Sequence, residues 1–498
     1  MEPEDLTSQQ EPTRFAIENL GPVRHADIEI RPLSVFIGPN NAGKSYVSTI
    51  IHALGSAFGS GQLFMRLLMT DEPHETDEKT RIDRRLVRKL NDFVKSAVDE
   101  LLHVKPPFEP NALTTIEQSL MLMEQQVSAE IEGSFACPPG KIVRYGTKRM
   151  LTTVDTARSR YVITVTRENE VNLKLVRLYD DAGPMEETPE HKPEMQDVID
   201  YVKRIMIQYG IKEDTKKTIQ RLHDIMVKTV VLSLFVPLNV TGLQYLPAAR
   251  GGSTQTYRSL TAEYFHSIPF TLTRPQNRPP TLNRATAVLF AQMANLPETR
   301  GPLAEVVEPY EERTTGGHIE VSREMSGMLS RLEFKRDGHS IGLQRVSSSV
   351  SELAPFYLYL KYYVTPDSML IVEEPEAHLH PENQILIARL LARLVNEDVT
   401  LLITTHSDFL LNQLSNCVTS WSLTPEERAK IGINEEETLN PEDVAVYLFE
   451  MGEDKYSTTR RLTIDDEGIP DQEFVRVSQE LYEQMVYIDT AMSRYRHR

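Results

Sequence analysis

The sequence predicts an α/β fold, with a mixed sheet that begins in an N-terminal antiparallel β-unit and carries an inserted, mainly helical subdomain. Three observations lead to this prediction. Residues 33–37 are an apolar run followed by a glycine-rich turn and a helix-forming segment, as in a strand, loop and helix unit. Residues 369–374 begin with an uninterrupted apolar run and residues 399–408 with a mostly apolar one, as expected for strands buried on both faces. Residues 70–239 are instead charged and mostly helical in pattern.

The composition indicates a protein of a reducing compartment. Its 498 residues include 72 acidic and 54 basic side chains, and the net charge of −18 argues against a broad nucleic-acid-binding face, although a local basic groove remains possible. The two cysteines, Cys137 and Cys417, form neither a disulfide framework nor a zinc site. No uninterrupted apolar run of about 18 residues occurs. We therefore expect a cytoplasmic protein that does not enter a membrane.

Two alternating segments open the chain and lead to a phosphate-binding motif. Residues 15–20 and 26–30 predict short strands around a turn at Gly21 and Pro22. GPNNAGKS, at 38–45, fits G-x-x-x-x-G-K-[ST] and stands between the strand at 33–37 and a predicted helix at 46–54. The candidate nucleotide-binding residues are Gly38, Asn40, Asn41, Ala42, Gly43, Lys44 and Ser45.

This motif suits phosphate because its glycines let successive backbone N–H groups point at an anion in front of a helix N-terminus. Lys44 would reach the β- and γ-phosphates of ATP, and the Ser45 hydroxyl would bind Mg²⁺. ATP and Mg²⁺ are therefore the expected cofactors.

Residues 70–239 are interpreted as an insertion between two halves of a nucleotide-binding fold. The pattern predicts helices at 83–103, 194–209 and 214–235, a β-hairpin formed by 161–165 and 171–178, and a proline-rich acidic loop at 181–193. A packed helical subdomain and a partner-binding or assembly role both remain open.

A strand-like run at 243–248 ends close to Arg250 and a glycine pair. Because α/β sheets place ligand-contacting groups at strand ends, Arg250 can face a phosphate, or it can be a surface arginine at the start of a loop. Short antiparallel strands are predicted at 318–321, 332–334 and 340–343. In the serine-rich segment that follows, Ser349 and Glu352 fit a capping box, which predicts a helix whose exposed N-terminus favours an anion.

Two further strand ends carry candidate catalytic groups. Glu373 and Glu374 end the apolar run at 369–374, and such a pair can divide the work between holding Mg²⁺ and orienting or deprotonating a water. The run at 399–408 contains His406, which can hydrogen-bond a γ-phosphate or the attacking water. His378 and His380 precede a predicted helix at 382–395, and no third ligand of suitable spacing supports a metal site there.

The C-terminal part predicts strands at 444–449 and 461–464 and a helix from about residue 471, with no nuclease constellation. The predicted domains are the first part of the core with the phosphate loop (13–69), the insertion (70–239), the second part of the core (240–425) and an α/β extension (426–498).

The segments GPNNAGKS, VSSSVSEL, LIVEEPEAHLHP and LLITTHSDFL together resemble the ABC-type ATPases of the RecF, Rad50 and overcoming-lysogenization-defect (OLD) branch. The resemblance implies an ABC-type P-loop ATPase core. It further implies that Glu373 holds the metal water, Glu374 is the catalytic glutamate and His406 is the switch histidine. Ser347, or Ser348 if the register slips, would be the signature serine that contacts the γ-phosphate bound to a partner subunit. Gln244 and Arg250 become candidates for a lobe that senses nucleotide.

The sequence departs from this branch in two ways. Ser349 stands where the signature usually has glycine, so a side chain intrudes where the partner's ATP would approach. No Toprim nuclease is recognisable after the histidine strand, which makes the chain similar to stand-alone ATPase subunits of anti-phage systems such as PARIS and Septu. The resemblance then implies a homo-oligomer with ATP at subunit contacts and a separate effector, a nuclease or toxin. The alternative is a repair ATPase of the RecF or Rad50 kind that acts directly on DNA.

Overall fold

The computed structural model describes residues 12–59, 112–178, 282–322, 331–465, 468–470 and 472–496, and short stretches between 232 and 252. The strands of this part of the chain are β1 (Arg14–Leu20), β2 (Val23–Glu29), β3 (Leu33–Ile37), β4 (Arg149–Asp155), β5 (Ser159–Thr166), β6 (Val171–Leu178), β7 (Leu243–Leu246), β8 (His318–Ser322), β9 (Arg331–Arg336), β10 (His339–Gly342), β11 (Met369–Glu373), β12 (Thr400–Thr404), β13 (Val444–Met451) and β14 (Ser457–Leu462). Its α-helices are α1 (Lys44–Gly59), α2 (Ala112–Phe135), α3 (Arg284–Ala294), α4 (Ala304–Thr315), α5 (Ser348–Tyr362), α6 (Pro381–Val395), α7 (Asp408–Thr419), α8 (Pro425–Ile431) and α9 (Gln472–Arg496).

One large mixed sheet organises the described residues, in the strand order β6-β5-β4-β1-β2-β14-β13-β3-β12-β11-β7. Strands β13, β3, β12, β11 and β7 run parallel to one another, whereas β1, β2, β4, β5 and β6 form an antiparallel unit. A smaller antiparallel sheet contains β10, β9 and β8. The predicted α/β class, with its mixed sheet and N-terminal antiparallel unit, is confirmed.

The main sheet separates two hydrophobic cores because successive side chains of a strand point to opposite faces. In β3, Phe36 belongs to one core, while Val35 and Ile37 belong to the other. Apolar residues of α1 cover the first face, and those of α5, α6 and α7 cover the second. The central parallel strands are thus buried on both sides, which explains their predominantly apolar sequences.

Two parts of the chain enter this sheet in positions that the sequence did not indicate. Within the block 70–239, the predicted hairpin is present as β5 and β6, and a third strand, β4, joins it to β1. From the C-terminal block, β13 pairs with β3, and β14 pairs with β2. The described strands of both blocks therefore belong to the same sheet as the core strands, and the four domain boundaries stay a prediction.

The helix predictions had mixed outcomes. Helices α1, α6 and α9 occur where they were expected, with α1 starting at Lys44, and α2 was not predicted. The capping-box prediction was wrong, because α5 is capped by Ser347, whose hydroxyl accepts a hydrogen bond from the Val350 N–H. The predicted elements at 83–103, 181–193 and 194–209, and almost all of 214–235, lie outside the described residues. None of the helices in the described ranges is long and apolar enough to cross a membrane.

Candidate nucleotide and catalytic site

Three loops meet at one edge of the sheet because the parallel strands before them end in register. Glu373 at the end of β11 lies opposite Thr404, and Thr404 of β12 lies opposite Phe36 of β3. The phosphate-loop motif, the second acidic residue and the histidine each follow directly after one of these ends. This edge is where open α/β sheets bind ligands.

The loop between β3 and α1 curls around the lysine of its own motif. The Lys44 ammonium donates hydrogen bonds to the carbonyl oxygens of Gly38 at 2.8 Å and Pro39 at 2.9 Å. Gly43 has φ +93°, and a Cβ there would lie 2.3 Å from a methyl carbon of Val23, so only glycine fits. The loop thus closes around the lysine ammonium, as expected for a loop of the kind that binds phosphate.

The remaining motif residues divide between the interior and the surface. Asn40, Asn41 and Ser45 are exposed, whereas Ala42 is buried. Asn41 has φ +63°, a left-handed conformation that asparagine tolerates better than most residues. Ser45 lies in the first turn of α1, at the positive end of the helix dipole. Its exposed hydroxyl is accessible to a bound metal ion.

Lys44, Glu374 and His406, which come from the three different loops, influence one another electrostatically. Burial lowers the pKa of Lys44 to about 8, although the charges of Glu374 and Glu376 oppose this shift. Burial, and then the charge of Lys44, lowers the pKa of His406 to about 4. The imidazole Nε2 lies 3.7 Å from Oε1 of Glu374. At neutral pH, His406 is therefore an uncharged imidazole close to Glu374 and to the buried Lys44.

Glu374 adopts an uncommon backbone conformation with φ +45°. Its N–H donates to the Thr404 carbonyl at 2.9 Å, which ties the acidic turn to the neighbouring strand. A left-handed glutamate is a strained position that its surroundings must maintain. Because Glu374 does not continue the extended backbone of β11, the side chains of Glu373 and Glu374 have different surroundings.

Glu373 contacts α1 through the side chain of Ser48. Its Oε1 accepts a hydrogen bond from Ser48 at 3.5 Å, and its Oε2 accepts one from the Ala248 N–H at 3.3 Å. Ser48 follows Ser45 by three residues, hence by almost one helical turn. A hydroxyl and a single carboxylate are a chemically suitable donor set for Mg²⁺, which keeps several of its waters. Across the described ranges, no group of three or more histidine, cysteine or acidic residues could hold a metal ion.

The position of the Arg250 side chain differs from the prediction that it faces a phosphate. Its side chain is 0% exposed, and its guanidinium donates to the carbonyl oxygens of Glu373 at 2.8 Å, Glu374 at 3.0 Å and Pro375 at 3.2 Å. The side chain thus lies beneath the acidic turn and does not face solvent. Gln244 accepts a hydrogen bond from Gln292 of α3 at 3.0 Å.

Glu376 was missing from the predicted site, although it holds the backbone of the histidine loop. Its Oε1 accepts hydrogen bonds from the Thr405 hydroxyl at 2.7 Å and from the His406 N–H at 2.8 Å. Its Oε2 is buried without a hydrogen-bond partner, and burial raises the pKa of this carboxyl. The only sequence signal was its place two residues after Glu374, inside EEPEAHLHP.

The predicted signature serines do not join this group. Ser347 and Ser348 are exposed at the N-terminus of α5, and the Ser347 hydroxyl lies 3.1 Å from that of Ser349. None of the hydrogen bonds recorded for these serines in the described part of the chain reaches Lys44, Glu374 or His406.

Comparison with known proteins supports an ATPase. Residues 184–411 match a family model described as an AAA ATPase domain, and this range includes the acidic turn and His406, while the phosphate loop precedes it. No curated protein sequence matches the chain.

Among solved structures, the SMC head bound to the C-winged helix domain of ScpA is 9% identical, with a TM-score of 0.39 over 91% of this chain and 97% of that one. The SMC head domain from Thermotoga maritima is 11% identical, with a TM-score of 0.33 over 91% and 98%. The Pyrococcus furiosus SMC head domain with an extended coiled coil, bound to the C-terminal domain of ScpA, is 10% identical, with a TM-score of 0.35 over 95% and 98%. These likenesses are distant, so the functional argument rests on the site.

Proposed function

We propose that the protein is an ABC-type ATPase that binds ATP and hydrolyses it to ADP and phosphate in the presence of Mg²⁺. The observation that carries this proposal is the meeting of Lys44, Glu374 and His406 at one edge of the parallel strands. A phosphate-binding lysine, a carboxylate able to act on water and a neutral imidazole are the groups that phosphoryl transfer to water requires.

Each side chain has a distinct proposed role. Lys44 would exchange its two backbone acceptors for the β- and γ-phosphates, which compensates the desolvation of its ammonium. Glu374 would orient or deprotonate the attacking water, and His406 would hydrogen-bond the γ-phosphate or that water. Ser45 and Glu373 would hold Mg²⁺, which when bound helps to neutralise the charge of the phosphates.

Steady-state hydrolysis and nucleotide binding by the purified protein test these roles. Lys44→Ala should abolish both, whereas Glu374→Gln should abolish turnover and retain ATP binding. Glu382→Gln is a matched control, since that carboxylate belongs to α6 and its side chain is 88% exposed. Normal hydrolysis in both site variants would refute the assignment of the site.

We propose further that the site is completed by a second copy of the chain. Ser347 and Ser348 are exposed at a helix N-terminus, a position that suits an anion supplied from outside the protomer. ATP bound at Lys44 of one copy would meet these serines of another. Sedimentation of Glu374→Gln should then show dimers or larger assemblies with ATP, and Ser347→Arg should prevent them. Assembly of Ser347→Arg at the wild-type ATP concentration would contradict this model.

The resemblance to anti-phage ATPases supports a third proposal, that the assembled protein controls a separate effector, a nuclease or toxin. Co-expression with the product of a neighbouring reading frame, followed by phage challenge, tests it. Protection should require both proteins and should change in Glu374→Gln. Equal phage sensitivity of cells with and without the pair would count against a defence role.

One surface feature favours the alternative, an ATPase that acts directly on DNA. The guanidinium of Arg144 lies 4.5 Å from the ring centroid of Tyr456, and that of Arg167 lies 5.7 Å from the ring of Tyr145. Lys148 is exposed between them in sequence. Basic and aromatic side chains together suit a nucleic-acid backbone and its bases. Tight DNA binding by the protein alone at physiological salt, lost in Arg167→Ala, would favour this alternative over effector control.

A further inference from the structure

Arg250 touches the backbone of both acidic residues at once. It follows β7, and its guanidinium donates to three consecutive carbonyl oxygens, those of Glu373, Glu374 and Pro375. Buried carbonyl groups must be paired, and one planar guanidinium satisfies all three here. Glu374 has φ +45° within this segment, so these hydrogen bonds help to hold a strained residue in place. The direction of its carboxylate therefore depends on Arg250.

The same side chain also lies near Glu352, in the N-terminal part of α5. The Nε atom of Arg250 lies 3.9 Å from Oε1 of Glu352, and both atoms are buried without a hydrogen-bond partner. A hydrogen bond between them would need a distance near 2.9 Å, so they are about 1 Å too far apart. Buried polar groups are rarely left unpaired. This pair therefore marks a place where a small shift of α5 would gain a charge-assisted bond.

The backbone next to Arg250 also packs directly on α5. The Ser351 hydroxyl donates to the Gly251 carbonyl at 3.3 Å. A Cβ at Gly251 would lie 2.0 Å from Oε2 of Glu352, so the absence of a side chain at this position lets the Glu352 carboxylate pack against the turn. The turn at 250–251 is thus wedged between the acidic turn and the helix whose N-cap is Ser347.

We propose that Arg250 is a positioning residue that couples the acidic turn, and hence Glu374, to the helix that carries the signature serines. This inference rests on the proposed function. When the acidic turn rearranges around nucleotide, Arg250 shifts with it. Helix α5 then moves, so that Oε1 of Glu352 comes within hydrogen-bond distance of the Arg250 Nε atom. Because Ser347 and Ser348 would serve the ATP bound by a second copy, occupancy of one site is transmitted to the next.

Arginine suits this position better than lysine because three carbonyl groups and a carboxylate need donors spread over a rigid plane. A lysine has three donors at a single point and cannot reach both sides of the wedge. Arg250→Lys keeps the positive charge and shortens the reach. Glu352→Gln leaves intact the three hydrogen bonds from Arg250 to carbonyl groups. It removes only the negative charge of α5 that faces the Arg250 guanidinium.

Hydrogen exchange with and without ATPγS and Mg²⁺ tests the coupling, at protein concentrations where sedimentation gives each variant the wild-type oligomeric state. In the wild type, nucleotide should slow exchange in both 369–376 and 347–353. In Arg250→Lys and in Glu352→Gln, the response at 369–376 should persist, and that at 347–353 should fall by about 5-fold or more. Glu382→Gln, which changes an exposed side chain of α6, should respond like the wild type.

Kinetics give a second readout that a merely structural role would not produce. Both coupling variants should bind ATPγS within about 3-fold of the wild type, while kcat falls by about 10-fold and any cooperativity in ATP concentration disappears. If Arg250→Lys does not fold, Glu352→Gln alone tests the coupling between the acidic turn and α5. A wild-type response at 347–353 in the folded coupling variants would overturn the inference. Failure of the wild-type protein to bind nucleotide would instead overturn the proposed function, on which the inference depends.

Discussion

Replacing Glu376 with alanine removes the acceptor of the two hydrogen bonds that fix the histidine loop. The His406 N–H and the Thr405 hydroxyl, now bonded at 2.8 and 2.7 Å, would be left unpaired in the interior. Each unpaired group costs about 1–3 kcal/mol, hence about 2–6 kcal/mol together. We expect the loop to rearrange and to withdraw the imidazole from Glu374, which is now 3.7 Å away.

The expected kinetic effect follows from these energies. If only about 2–3 kcal/mol is lost in the transition state, kcat falls by about 30- to 150-fold. Glu376→Gln keeps a carbonyl oxygen as acceptor and should lose much less. Glu382→Ala, in which an exposed glutamate of the next helix is truncated, should leave kcat unchanged.

A double-mutant cycle of ATPase rates separates a positioning role from an independent one. If Glu376 acts through His406, then Glu376→Ala combined with His406→Ala should be no slower than His406→Ala alone. Multiplicative losses in the double variant would refute the reasoning, as would a wild-type rate in Glu376→Ala.

Three further predictions concern the phosphate loop and the helix behind the signature serines. The kcat/KM for ATP should fall by about tenfold per pH unit above about pH 8, because the Lys44 ammonium then loses its proton; a flat profile to pH 9.5 would contradict this. Gly43→Ala should lose ATP binding in titrations, since its Cβ would lie 2.3 Å from a side chain of β2, whereas Gly59→Ala, with open space around it, should bind normally. Lys361→Met should lower the free energy of unfolding in urea by about 3–5 kcal/mol, because it leaves the buried carboxylate of Glu311 without its ammonium partner. Adding Glu311→Gln to this variant should recover part of the lost free energy, and no recovery would argue against the ion pair.

Much of the core was readable from the sequence because its determinants are local. A strand buried on both faces must be largely apolar, so β3, β11 and β12 were recognisable from their composition. The phosphate loop was recognisable because its glycines meet a backbone requirement that recurs wherever such a loop forms. Parallel strands share one carboxyl edge, and this made it reasonable to expect Lys44, Glu374 and His406 together.

Other features depended on partners that are distant in sequence. The hydroxyl of Ser347, and not that of Ser349, caps α5, because Glu352 lies beside the buried Arg250 and does not return to the helix N-terminus. Both serines are suitable caps by residue type, so the local sequence does not distinguish between them. Glu376 belongs to the site only because its carboxylate reaches the backbone of a different strand end.

The sequence by itself determined the α/β class, the strand and loop that form the phosphate cradle, and the identity of the groups placed at the strand ends. Only the tertiary structure decided that C-terminal strands β13 and β14 lie between β2 and β3, and that Arg250 pairs with carbonyl groups more than a hundred positions further along the chain. The physical reason is that hydrophobic periodicity and turn chemistry act over a few residues. Strand order and buried polar pairing are instead selected by the packing of the whole sheet, in which every buried donor and acceptor must find a partner.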